Sequence, residues 1–343
     1  MGLISLEDHF VSTSLGAKPE SVVPNLHAVK TDLDMGICRF NFDLFPPEVQ
    51  RKLKSLDEVR VQDCDAGGVD LQVVSLIPAA ETLSICEQAN DQLAAAVAKS
   101  QGRLAGFAAL PMENPSEAAQ ELERCVRSLG FLGALIPNHV NGTHFHGQEY
   151  RVFWSKAEEL DVPIYLHPSP PTPEQYQEFD GLPGGAQVAL SQFAWHWHED
   201  VARHFLKLYA SGLFEEGACP RLKLIIGHAG EMLPFMVGRS SRMFGMVWKQ
   251  GSLNRSLETV WRSNVYITLS GMWDLAPLAC LLRTIGPDKV MYSLDYPFEN
   301  PLEGLRFMEE AKNSGLLTAE QFEMIEYQNA EKLLKINNAR LSK

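Results

Sequence analysis

The sequence predicts an α/β fold, a (β/α)8 TIM barrel, on three observations. Short apolar runs rich in β-branched residues alternate along the 343 residues with longer stretches of helical period, the pattern of parallel strands joined by crossover helices. Eight such runs occur, and eight units close into a barrel. Several runs end in Glu, His or Asp, as strands do where a site is built on the C-terminal rim of a barrel. A doubly wound open sheet is the competing arrangement, but no GxGxxG turn follows the first strand. No linker, low-complexity segment or short repeat divides the chain, so residues 1–343 are read as one domain.

The first strand is predicted over residues 3–7 and leads into Glu7-Asp8-His9. Residues 10–47 carry weak patterning with interspersed Gly, Pro and Asp. They are expected to form a loop covering the rim, with Phe40, Phe42 and Phe45 as candidates for a pocket wall. A helix over 48–66 and a buried parallel strand over 69–76 follow. Helix and strand then alternate: 84–100 with 104–110, 116–129 with 131–136, and 150–160 with 163–167. A long helix over 187–212 gives a strand over 222–228, then 257–262 gives 265–270 and 275–285 gives 290–295, where Pro297 stops the last strand. A C-terminal amphipathic helix is predicted over 318–337, with Thr318 as its N-cap and Glu320 and Glu323 in its first turn.

Composition narrows the function. Net charge is −13 with no Lys/Arg stripe to offset it, which repels phosphate backbones and excludes nucleic acid as a partner. No apolar run approaches the roughly 18 residues a membrane span needs. The six cysteines are scattered without CxxC pairs, and no basic segment with a cleavage site opens the chain; a reduced, cytoplasmic setting is expected. Met1-Gly2 invites a lipidation reading, but Ser5 falls one position early for that motif.

The candidate chemistry lies at strand ends. Glu7 and His9 are two apart, hence on one face of an extended segment, although the tripeptide taken alone reads more readily as a solvated charged turn. His167 and His228 end the fifth and sixth strands, and Asp295 ends the eighth. A buried carboxylate there requires a neighbouring cation or metal. His196 and His198 are two apart on a predicted helix and point to different faces, which argues against a metal there. His139, His144 and His146 fall in a Gly/Asn-rich stretch expected to be a solvated loop.

Six motifs together resemble the amidohydrolase-superfamily aromatic acid decarboxylases, nearest to γ-resorcylate and 2,3-dihydroxybenzoate decarboxylases. They are Leu6-Glu-Asp-His-Phe10, Gly102-Arg-Leu-Ala-Gly-Phe-Ala-Ala-Leu-Pro111, Leu129-Gly-Phe-Leu-Gly-Ala-Leu135, Val162-Pro-Ile-Tyr-Leu-His-Pro168, Ile226-Gly-His-Ala-Gly-Glu231 and Ser293-Leu-Asp-Tyr-Pro-Phe-Glu-Asn300. The resemblance implies a barrel of the metal-dependent hydrolase type and one divalent ion held by Glu7, His9, His167 and Asp295. It favours Mn2+ or Zn2+, with Mg2+ also compatible with the donors, and implies no organic cofactor. It makes Glu231 the partner that fixes His228, and gives Arg239 a substrate contact, with Arg242 as competitor and a surface ion pair as the plain alternative for either.

The activity so implied is non-oxidative decarboxylation of an ortho-hydroxy aromatic acid, with Asp295 as general acid to the ring carbon. A metal-dependent hydrolase, such as a lactonase, is the alternative. Glu7 argues against it, because an added negative ligand weakens the ion as an activator of water. Relatives are homo-oligomers, so a homodimer or homotetramer is expected. Ile77, Pro137 and Met272 depart from polar residues of the relatives. With Phe298 they imply a more apolar pocket for a small aromatic acid.

Overall fold

A computed structural model of the chain describes residues 2–13, 45–78, 81–248 and 253–336. Most of the expected rim loop over 10–47, including Phe40 and Phe42, lies outside them. Eight strands form parallel ladders: β1 (Leu3–Phe10), β2 (Val69–Leu76), β3 (Leu104–Gly106), β4 (Ala134–Pro137), β5 (Ile164–His167), β6 (Leu224–Ile226), β7 (Val265–Thr268) and β8 (Val290–Met291). Each strand pairs with its sequence neighbour, β1-β2-β3 and β4 to β8 in order. The two sheets join through a parallel bridge between Ala108 and Ala134. Gly133 lets β4 lie close to the start of β5: its φ is 155°, and a Cβ there would lie 2.3 Å from the Pro163 carbonyl oxygen.

The barrel closes between β8 and β1 by side chains. Leu294 N donates to Ser5 Oγ at 2.8 Å, Glu7 N donates to Ser293 Oγ at 3.1 Å, and Tyr296 N donates to Asp8 Oδ1 at 3.0 Å. One backbone bond, His9 N to Tyr296 O at 2.7 Å, completes the seam. This is why β8 is shorter than predicted: past Met291 its backbone is held by the Ile325 carbonyl and by the side chains of Ser5 and Asp8 rather than by a ladder. Asp295 therefore stands on a loop at φ 60°, not at a strand end.

Strand alternation divides the core. Ile4, Leu6, Leu71, Val73, Leu135 and Ile225 fill the barrel interior, where Leu333 and Leu334 of the C-terminal helix also pack. A larger cluster lies between strands and helices. The helices are α1 (Pro47–Leu53), α2 (Glu58–Ala66), α3 (Leu83–Lys99), α4 (Pro115–Ser128), α5 (Arg151–Leu160), α6 (Pro173–Gln177) and α7 (Gly184–Ser191). They continue with α8 (His196–Ala210), α9 (Leu233–Val247), α10 (Leu257–Asn264), α11 (Leu275–Thr284), α12 (Pro301–Asn313), α13 (Ala319–Glu323) and α14 (Asn329–Leu334).

Two predicted helices are each divided. The stretch over 48–66 breaks before Asp57, which caps α2 by accepting from Val59 N at 3.2 Å. The one over 187–212 breaks at residues 192–195. The C-terminal helix begins at Thr318 in a capping box with Gln321, and a π-helical turn over Met324–Gln328 joins α13 to α14. The sequence reading missed α9 and α12. No helix among the described residues is long and apolar enough to cross a membrane.

Candidate active site

β1 carries Glu7, Asp8 and His9 wholly buried, so the tripeptide is strand and not a solvated turn. Glu7 and His9 share its inner face with Ile4 and Leu6, because the pairing with β2 shifts register between Ser5 and Asp8. Their neighbours are His167, which ends β5, and Asp295. The His167 Nε2 lies 3.3 Å from Glu7 Oε1, and His9 Nε2 lies 3.4 Å from Asp295 Oδ1. The His9 and His167 rings meet edge-on at 4.8 Å.

Glu7, His9 and His167 are each aimed by a second contact. Glu7 Oε2 accepts from the Tyr165 hydroxyl at 2.5 Å and from the Ser270 hydroxyl, which leaves Oε1 facing the imidazoles. His167 Nδ1 donates to the Pro168 carbonyl at 2.8 Å, and His9 Nδ1 lies 3.2 Å from Ser75 Oγ. With hydrogen on Nδ1, each ring offers its Nε2 lone pair inward. Gly227 is required beside them, since a Cβ there would fall 2.7 Å from the Tyr165 oxygen.

The electrostatics suit a cation. Burial pulls His9 down to about 4 and His167 to about 3, so both rings are neutral donors. Burial, then the charge of Glu7, pushes Asp295 well above the ordinary carboxylate range. Burial also acts to raise Glu7, but His228, His167 and His9 outweigh it and the net shift is downward. Glu7 Oε1, His9 Nε2 and Asp295 Oδ1 are buried and make no hydrogen bond among the described residues. Glu7, His9 and His167 each place a ligand atom within 4.8 Å of the others. These three donors, with Asp295 Oδ1 3.4 Å from His9 Nε2, fit a divalent ion.

Beside this centre stands a second cluster. His228, Ala229, Gly230 and Glu231 follow β6 with φ of 46°, 55°, 78° and 58°, a run of left-handed residues that costs of order 1 kcal/mol at each non-glycine position. The turn brings Glu231 Oε1 to 2.9 Å from His228 Nδ1, with His228 Nε2 3.8 Å from Glu7 Oε1. Burial disfavours the charged His228, but Glu7 and Glu231 raise it to about 10. Burial likewise opposes a charged Glu231, yet His228 and His198 lower it to about 2. His198 was missed as a site residue: its Nδ1 meets the other oxygen of Glu231. The first turn of α8 borders the rim, and it is there that His198 meets Glu231.

Above both clusters lies a cavity of about 290 Å3. Phe45, Ile77, Phe193, Trp197, Met272 and Phe298 give it apolar walls, and His167, His198, His228, Asp295 and Glu299 its polar part. Of the residues expected at a pocket from the sequence, Ile77, Met272, Phe298 and Phe45 line this cavity. Glu299 is an addition, raised to about 6 by burial and then by Asp295. Pro137 is buried and pairs with His167 in the ladder, but does not line the cavity.

Arg239 does not reach this cavity within the chain. It is exposed on α9 and lines a separate hollow with Met236, Met243 and Phe244; Arg242, on the same helix, is exposed as well. His139 and His144 are not a solvated loop. Both are 4% exposed, because α8 supplies Asp200, whose Oδ2 lies 3.2 Å from His144 Nε2, and His204, which stacks on His144 at 4.7 Å.

A family profile described as Amidohydrolase matches residues 56–336. The chain is 42% identical over 341 residues to the protein named Decarboxylase orsB of Emericella nidulans, covering 98% of this chain and 97% of that one. It is 34% identical over 319 residues to a γ-resorcylate decarboxylase of a Rhizobium species, covering 87% and 89%. A solved structure of a dihydroxybenzoic acid decarboxylase from Polaromonas, with bound manganese and the inhibitor 2-nitroresorcinol, matches with a TM-score of 0.81 at 31% identity. That match covers 100% of this chain and 99% of the other.

Proposed function

We propose, from the premise that this chain belongs to the amidohydrolase family, that it is a metal-dependent decarboxylase of ortho-hydroxy aromatic acids. The observation that carries the reading is the gathering of the buried Glu7, His9 and His167, with Asp295 beside His9, next to a largely apolar cavity that His167 and Asp295 line. Decarboxylase relatives at 42% and 34% identity favour loss of CO2 over the hydrolytic alternative. Glu7, His9, His167 and Asp295 would hold a divalent ion, which would supply positive charge to orient the acid's carboxylate and ortho oxygen and to favour the phenolate. Manganese in the Polaromonas structure supports Mn2+, and Zn2+ suits the same donors.

The chain's own residues do the rest. Asp295, its side chain 15% exposed toward the cavity, holds the proton and delivers it to the ring carbon that bears the carboxylate. A C–H bond forms, the C–C bond breaks, its electron pair returns to the ring, and CO2 leaves as aromaticity is restored. His228, gripped by Glu231, directs Nε2 toward the same space. The aromatic wall excludes water and suits the departing neutral product. No organic cofactor is needed. Ile77 and Met272 favour a ring bearing a methyl or other apolar substituent over one bearing a second hydroxyl.

The protein works as one domain in the cytoplasm; the free thiols Cys64, Cys86, Cys125, Cys219 and Cys280 suit a reducing compartment. A homodimer or homotetramer is supported by α9, where Phe235 is 86% and Val247 80% exposed, an apolar surface a lone chain seldom leaves open. The metal-loaded protein should be offered 6-methylsalicylate, orsellinate, salicylate and γ-resorcylate, following ultraviolet spectra and CO2 release. Decarboxylation of at least one is expected. Hydrolysis of aryl lactones with no CO2 from any acid would overturn the reading.

A further inference from the structure

We propose that His198 is a positioning residue of this site, a ring that donates from both nitrogens, to Glu231 and to the Phe193 carbonyl, and thereby fixes Glu231 as the partner that orients His228. The inference rests on the decarboxylase reading above. His198 stands in the first turn of α8 with its side chain 20% exposed. Its Nδ1 meets Glu231 Oε2, and its Nε2 lies 2.7 Å from the Phe193 carbonyl oxygen. An ionised carboxylate and a carbonyl can only accept. A neutral imidazole carries a single N–H, so one of the two contacts would then set lone pair against lone pair. The geometry requires hydrogen on both nitrogens.

Glu231 gains from this in two ways. Its side chain is wholly buried, and each oxygen now has a donor: His228 Nδ1 at 2.9 Å on Oε1, and His198 on Oε2. Held at both ends, the carboxylate cannot turn away from His228, and the His228 Nε2 keeps its aim toward the Glu7 carboxylate and the cavity. A cationic ring also offsets a buried negative charge that would otherwise be compensated by His228 alone. By anchoring the Phe193 carbonyl, His198 ties this cluster to the turn that carries Phe193, one of the cavity walls.

The same three residues place ligand atoms within 4.8 Å of one another, so a second metal ion is the competing occupant. It is disfavoured because both Glu231 oxygens already lie in contact with an imidazole nitrogen.

The test uses the metal-loaded enzyme on a substrate the wild type decarboxylates, so a failure of the activity reading shows in the wild type before any variant is made. His198→Ala should lower kcat by about tenfold to a hundredfold with one metal per chain retained and KM changed by less than about threefold. His198→Gln, which keeps a donor for Glu231, should recover part of the loss. Nitrogen-15 histidine spectra of the wild type should show both His198 ring nitrogens protonated. A single protonated nitrogen on His198, kcat for His198→Ala within about twofold of wild type, or two metal ions per chain would each overturn the proposal. The wild-type spectrum decides the matter even if the variants do not fold.

Discussion

Replacing Ile77 with Thr should shift substrate choice by an amount that can be worked out in advance. Ile77 is 2% exposed, lines the cavity, and is fixed beside the metal centre because its N–H donates to the Phe10 carbonyl at 2.9 Å, one residue beyond His9. 6-Methylsalicylate and γ-resorcylate differ only in carrying a methyl or a hydroxyl at one ring position. Thr removes about one CH2 of apolar contact with the methyl, roughly 0.8 kcal/mol. It also gives the hydroxyl a partner worth about 1 kcal/mol. The two terms together, about 1.8 kcal/mol, move the ratio of the two kcat/KM values about twentyfold toward γ-resorcylate. Comparing a ratio across two enzymes cancels the different intrinsic reactivity of the rings. The wild type itself should favour the methylated acid. A ratio that stays within about twofold on substitution would show that Ile77 does not face the substituent.

Asp295→Asn should cost at least about a hundredfold in turnover; elemental analysis of the same sample separates loss of the acid from loss of the ion. His228→Ala should lower turnover with the metal still bound, and metal loss in that variant would move His228 into the ligand set. Glu231 gives a pH dependence: its folded value, about 2, lies below the ordinary 4.5 because His228 and His198 outweigh its burial. Its carboxylate therefore adds stability that is fully present above about 4.5 and is lost as pH falls toward 2. Glu231→Gln should accordingly lose less stability than wild type across that window in acid unfolding curves, and parallel curves would refute the assignment.

The parts of the fold and site visible in the sequence were those written locally. Glu7 and His9 could be paired by the two-residue period of a strand, and His167 by its place at the end of an apolar run. The strand and helix alternation gave the barrel for the same reason. What stayed hidden depends on partners far along the chain. His198 meets Glu231 33 residues later, and His139 and His144 are buried only because Asp200 and His204 come from α8. α9 escaped notice because Gly238, Gly245 and paired serines blur its period, and α12 because Pro301 reads as loop although it serves at the first turn of a helix. The length of β8 was overestimated because Ser5 and Ser293, not a backbone ladder, close the barrel.

The most direct test of the account is stepwise removal and return of the metal while decarboxylation of an ortho-hydroxybenzoate is followed. Activity should fall in proportion to metal content under a chelator, vanish near zero occupancy, and return on adding Mn2+ or Zn2+ to about one ion per chain. Full turnover at negligible metal content would contradict the assignment of Glu7, His9, His167 and Asp295 as the ligands on which the chemistry depends.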